Sequence, residues 1–176
     1  MDALARAFLD ASRHYLRHDY LPRIEGCLDR LSEEDLWWRP NEASNSVGNL
    51  ILHLAGNIRQ WIVHGVGGGE DVRDRPAEFE ARGPMPAAPL RARLRDALDA
   101  VDAVLAGLTA GDLLETRRIQ GLDVTVLQAV YHVVEHFSMH TGQILYVTKL
   151  RTGQDLGFYR IQDGTVLGGW TAPPPA

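Results

Sequence analysis

Seven histidines are spread through this chain of 176 residues, and His132, His136 and His140 fall at four-residue intervals within Tyr131 to Tyr146, YHVVEHFSMHTGQILY. The apolar residues between them have helical spacing. Side chains at i and i+4 lie on one helix face, a turn apart. Two such imidazoles can share one transition-metal ion if a third ligand arrives from elsewhere. Neutral imidazole suits zinc, nickel, iron and copper, whereas magnesium and calcium want oxygen ligands. At about 100° per residue, the interior face of this helix is marked by Val126, Ala129, Val133, Phe137, Ile144 and Val147. His140 is expected to project into that stripe with His136 beside it, while His132 drifts to the edge occupied by Gln128 and Glu135. The expected ligands are therefore His136 and His140, with His132 nearer the rim. A single histidine on an apolar face is more often a hydrogen-bonded core or rim residue than a ligand, so the pair alone leaves both readings open.

The third ligand has to come from another element. A helix is expected from Asn45 or Ser46, either a good N-cap, to about His64, with Leu50, Ile51, Leu54, Ile58 and Trp61 as its core stripe. His53 sits at the flank of that stripe, with Asn57 and Gln60 along the same edge. Facing helices of a bundle are where such sites are assembled, so His53 is the candidate. His64 lies about 16 Å further along at helical rise and cannot share the ion. A second i,i+4 pair, His14 and His18, is flanked by Arg13, Arg17 and Asp19 and reads as a solvated face.

Four segments carry a core-facing stripe: residues 2–31, 46–64, 89–106 and 124–151. In the first, Pro22 predicts a kink or break near Tyr20. Residues 32–46 form a connector whose start, SEED, resembles a helix N-terminal signature, and Trp37 and Trp38 are expected to plug the end of the core. Residues 65–88, punctuated by glycine and proline, read as a long loop of the kind used for lids and binding loops. Pro89 suits the first turn of the third helix. Thr125 to Gln128 fits a capping box opening the fourth. The tail, 152–176, is not helical, yet Phe158, Tyr159, Ile161, Val166, Leu167 and Trp170 are too apolar for a solvated tail, so it is expected to pack back as loops or a short hairpin. The economical architecture is an all-α, single-domain four-helix bundle over residues 1–176.

Bulk properties narrow the function. A formal charge of −5 argues against nucleic acid as the main partner, since phosphate binding wants a basic face. No signal peptide is visible, and no apolar run approaches the roughly 20 residues of a membrane span. The lone Cys27 suits a reducing compartment. A cytoplasmic protein acting on a small molecule, with neither nucleic acid nor membrane as partner, is the expectation.

The stretch Ser46-Val-Gly-Asn-Leu-Ile-Leu-His53-Leu-Ala-Gly-Asn, the later His136-Phe-Ser-Met-His140-Thr-Gly-Gln-Ile and the Leu-Trp-Trp-Arg-Pro before the second helix resemble the DinB/YfiT-like superfamily of metal-dependent enzymes (the damage-inducible family, not the polymerase of the same name). The resemblance covers about residues 2–150. It implies a four-helix bundle in up-down-down-up order, frequent homodimers, and a divalent metal held by one histidine of helix two and an HxxxH pair of helix four, here His53, His136 and His140. Family members often carry Arg after the last histidine, where this chain has Thr141. Characterised relatives include S-transferases and isomerases that use bacillithiol- or mycothiol-type thiols. The reading this favours is a zinc or nickel ion, with iron or manganese also open, that activates a low-molecular-weight thiol cosubstrate. A metal hydrolase using a bound hydroxide, and a bundle that holds metal without turnover, stay open beside it. Three neutral ligands leave open coordination positions, as catalytic sites require. Glu135 points away from the pair and is not cast as a base. Gln143 and Asn57, each about one turn from a candidate ligand, are either amides that orient a ligand or substrate, or satisfied groups at the core edge.

Overall fold

In a computed structural model of the protein, the described residues are 2–167, so Trp170 of the tail lies outside them. The first rod, α1, runs through Ala3–His14, a π-helical segment Tyr15–Tyr20, and Leu21–Leu28 without a break. The kink expected from Pro22 is replaced by a widening of the helix: the Leu21 N–H reaches back five residues to the Leu16 carbonyl, in the register that defines a π turn. Pro22 follows immediately. It has no N–H to offer the His18 carbonyl and its ring would crowd that carbonyl in α geometry, so the wider turn accommodates it.

Two stretches expected to be connectors contain short helices. Ser32 caps α2, Glu33–Trp37, its side chain accepting from the Asp35 N–H. Residues 65–88 hold α4, Arg75–Glu80, capped by the Asp74 side chain. The structureless-loop reading of that region is therefore corrected. Between them α3 runs through Val47–Ile58 into a second π segment, Arg59–Val66. Its start is fixed by a reciprocal box in which Ser46 accepts from the Asn49 N–H and the Asn49 side chain accepts from the Ser46 N–H. The third rod, α5, spans Ala87–Gly107. Pro89 is thus its third residue, still within the first turn where no N–H is needed.

A short 3₁₀ turn, Asp112–Leu114, leads into the antiparallel pair β1, Thr116–Ile119, and β2, Leu122–Thr125. Gln120 and Gly121 both have positive φ, 51° and 79°, as a two-residue hairpin turn demands. The last rod, α6, spans Val126–Thr152, opened by the Thr125–Gln128 box and closed by left-handed Gly153. The tail then forms a hairpin, β3 Arg160–Gln162 with β4 Thr165–Leu167. The chain is thus predominantly helical with a non-helical C-terminal tail, and no helix among the described residues is long and apolar enough to cross a membrane.

Both α1 and α3 pack against α5 and α6. The core between them includes Leu16 and Ile24 of α1, Ile51, Leu54 and Ile58 of α3, Leu90, Leu94 and Leu98 of α5, and Val133, Phe137 and Ile144 of α6. Outside it, α1 and α5 are joined by four ion pairs, Arg13–Asp102, Arg17–Asp99, Glu25–Arg95 and Asp29–Arg91. Trp37 plugs one end of the core. Its ring lies so close to Gly48 that a Cβ there would stand 2.9 Å from it, and its indole N–H donates to the Met85 carbonyl at 3.0 Å.

Candidate metal centre

Because α3 is covered by α2, α4, α5 and α6, it is buried around most of its circumference, and His53 is only 5% exposed. On α6 the buried line runs Val126, Ala129, Val130, Val133, His136, Phe137, Thr141, Ile144 and Thr148. His136, 8% exposed, belongs to it, whereas His140 is half-buried at its flank. This reverses the expected order of depth. The buried line steps by four through Val133, Phe137 and Thr141, so Thr141 takes the inward place at the level of His140.

The three side chains nevertheless meet. His136 Nε2 lies 3.1 Å from His53 Nε2 and 3.1 Å from His140 Nε2, and one nitrogen of each ring lies within 4.8 Å of the other two. Metal–imidazole bonds of about 2.0–2.1 Å put neighbouring ligand nitrogens about 2.9 Å apart at right angles and about 3.3 Å apart at tetrahedral angles. Both 3.1 Å spacings to His136 fall between these.

The outer nitrogens explain why a cation suits the cluster. His53 Nδ1 faces Glu78 Oε2 at 3.0 Å, and His140 Nδ1 faces Gln143 Oε1 at 2.6 Å. Both partners are acceptors, and an Nδ1 that carries the hydrogen to serve one leaves Nε2 presenting a lone pair. A single N–H on His136 Nε2 could serve one of those lone pairs and would leave the other facing a nitrogen in a buried site. A metal ion satisfies all three at once. Burial, then the neighbouring His140, His53, His132 and Arg73, push His136 down to about 3, so this ring is neutral and free to donate its lone pair near pH 7. Burial also lowers His140, opposed by its bond to Gln143.

Glu78 and Arg73 are absent from the set of residues expected from sequence. Burial alone would raise the Glu78 pKa, but hydrogen bonds and charge from Arg73 and His53 outweigh it and hold the carboxyl below its ordinary value. Arg73 grips the carboxylate with two bonds of 2.7 Å and donates to Gln60 Oε1 at 2.8 Å. The sequence signal available for Glu78 was its place four residues after a capping-type Asp74, inside a segment that reads as loop. The Phe79 ring packs 4.7 Å from the His53 ring, with the Arg75 guanidinium over the Phe79 ring at 5.0 Å.

The remaining candidates separate cleanly. His132 packs on Trp61 at 4.1 Å between ring centres and stays at the rim, as the helical drift requires. Gln143 holds His140. Asn57 is buried, and its Oδ1 has no partner among the described residues. Glu135 is exposed. His64 lines a cleft of about 390 Å³ behind Glu78, away from the cluster, and His14 and His18 lie 5.1 Å apart in a cleft with Arg13, Arg17 and Asp102.

Three solved structures have the same fold. A conserved protein from Enterococcus faecalis superposes with a TM-score of 0.69 at 17% identity, covering 81% of this chain and 96% of its own. A DinB-like protein from Bacillus cereus gives 0.61 at 20% identity, covering 78% and 88%. A DinB-like protein from Bacillus subtilis gives 0.62 at 17% identity, covering 85% and 96%. The chain therefore shares the fold of these DinB-like proteins. No curated protein matches the sequence. The profile of one family does match, over residues 3–165, and the chain belongs to that family, described as a protein of unknown function (DUF1572).

Proposed function

We propose that the protein is a metal-dependent enzyme in which His53, His136 and His140 hold one divalent transition-metal ion, zinc or nickel first, and that it transfers the sulfur of a low-molecular-weight thiol to a small electrophile. The convergence of three imidazoles carries this reading, with His136 Nε2 3.1 Å from the Nε2 of each of the other two and one nitrogen of each ring within 4.8 Å of the others. Such an ion would supply a Lewis acid able to lower the pKa of a thiol or water at its open positions. The chain's own residues fix the imidazole tautomers and keep the inner side of the cluster dry. In the transfer, the thiol proton leaves to solvent, the sulfur forms a C–S bond to the electrophilic carbon, and the leaving group departs with its bonding pair.

The surroundings favour a thiol over a hydroxide. Hydrolysis gains from a free general base positioned to take a proton from the attacking water. The carboxylate that reaches this cluster, Glu78, is bound on both oxygens by Arg73 and by His53 on the side away from Nε2. A four-helix bundle in up-down-down-up order belongs to the same reading. It is supported by the ladder that runs 13, 17, 25, 29 on α1 against 102, 99, 95, 91 on α5. Exposed Met139, Tyr146 and Leu150 on α6 support a homodimer.

Protein purified without an affinity tag should contain close to one metal ion per chain by elemental analysis, and His136→Ala should lose it while keeping its helical circular dichroism. Metal-free wild-type protein of undiminished stability would remove the site. Consumption of an electrophile should depend on added thiol when several thiols are compared; thiol-independent consumption would point to hydrolysis.

A further inference from the structure

Two groups of opposite demand meet the outer nitrogen of His53. Glu78 Oε2 and Arg73 Nη2 each stand 3.0 Å from Nδ1. A guanidinium only donates, so serving it would need a lone pair on Nδ1 and would put the ring hydrogen on Nε2, where it would block the ligand atom. A carboxylate only accepts, which puts the hydrogen on Nδ1 and frees Nε2. Each Arg73 nitrogen already has one other acceptor: Nε reaches Glu78 Oε1, Nη2 reaches Glu78 Oε2 and Nη1 reaches Gln60. Arg73 therefore keeps three bonds without Nδ1, whereas a ligating Nε2 requires the Nδ1 hydrogen that only the carboxylate can accept.

We propose that Glu78 is the positioning residue of the centre, selecting the Nδ1–H tautomer of His53 and fixing its ring so that Nε2 is presented as a ligand. This rests on the three-histidine reading of the site. Several features of the chain converge on it. Gly56 lies one turn beyond His53, and a Cβ there would stand 1.9 Å from Glu78 Oε1 and 3.0 Å from Arg73 Nε, so only glycine lets the carboxylate approach. The Asn49 side-chain amide donates to the carbonyls of Glu78 and Ala81, both at 2.9 Å, pinning the end of α4 to α3. Asp74 caps the start of α4. The Arg73 and Glu78 side chains are only 4% and 9% exposed. A buried ion pair is weak support for stability, because desolvation offsets much of its attraction. Its placement against one imidazole nitrogen gives it a local task, the carboxylate–histidine–metal arrangement that raises ligand basicity.

The test is zinc affinity of the tag-free apoprotein, measured by competition with a chromophoric chelator, for wild type, Glu78→Ala, Glu78→Gln, Gly56→Ala and His53→Ala. Glu78→Ala should bind zinc about 10–100-fold more weakly. Glu78→Gln, whose amide oxygen still accepts, should lose less. Gly56→Ala changes no charge and should weaken binding in step with Glu78→Ala. Long-range ¹H–¹⁵N spectra of metal-free wild type should show the His53 hydrogen on Nδ1. Wild-type affinity in Glu78→Ala or Gly56→Ala, or a hydrogen on Nε2 in the wild type, overturns the positioning role. The wild-type spectrum decides the question even if a variant fails to fold. Absence of zinc uptake by the wild type, or uptake undiminished in His53→Ala, would bring down the three-histidine site itself, a different failure from that of Glu78 alone.

Discussion

His136 sits between the other two imidazoles and belongs to the buried line of its helix, while His140 stands at the flank and depends on Gln143 for its orientation. That difference sets what each support is worth. The Gln143 bond is short, 2.6 Å, but the amide is exposed, and water can replace it as an acceptor. Gln143→Ala should therefore weaken zinc binding by about tenfold, the low end of the range for groups that orient a ligand, and by less than Glu78→Ala in the same titration. Equal losses would mean that burial of the supporting group does not set its worth. The histidines could be singled out from sequence because His136 and His140 share one helix face and His53 lies in a strongly periodic stretch. Glu78 and Arg73 could not, because they lie where glycine, proline and mixed charge mask any period, and because the bond from Glu78 to His53 joins residues 25 apart in the chain.

The elements that carry these residues were legible where a local rule decides them. The N-cap at Ser46 and the box at Thr125 are short-range chemistry, and both form. Six-residue α4 has no stripe of its own and is held by contacts to α3, so only tertiary structure reveals it. Pairs between elements add a pH-dependent contribution. The Asp102 carboxyl lies below its ordinary value chiefly because Arg13 donates to it, through bonds of 2.6 and 3.0 Å. A carboxyl whose folded pKa is depressed contributes stability above its unfolded value, about 3.9, and loses that contribution as pH falls through the folded value. Both partners are about one-third exposed, so solvent screening limits the pair to about 0.2–1 kcal/mol. Asp102→Asn should lower the urea midpoint slightly at pH 7 and show a smaller further decline on acidification below pH 4 than wild type. A steeper decline in the variant would mean that the folded protein raises this pKa instead of lowering it.

At the scale of the molecule, the core is complete without an ion. Ile24, Ile51, Leu54, Leu90, Leu94 and Phe137 are fully buried, and their packing against one another requires no metal. Metal removal should therefore lower stability without unfolding the chain, unlike small domains whose folding is metal binding. Saturating the site at about 100 times its Kd adds about 2.7 kcal/mol. For a chain of this size that raises Tm by about 5–10 °C, measurable by calorimetry with and without chelator. Full unfolding on chelation would make the ion structural.

The two π-helical segments have a further consequence for comparing sequences. Each closes its hydrogen-bonded ring over five residues instead of four, as the Leu21-to-Leu16 and Gly67-to-Ile62 bonds show, so each stores one residue more than an α-helix of equal length. A relative could lose that residue within 15–20 or 59–66 and rewind locally. In the second case His53 and Asn57, upstream of the segment, would keep their places while the numbering of everything downstream shifted by one. Alignments across this fold should therefore admit single-residue gaps inside helices, a place where gaps are ordinarily forbidden.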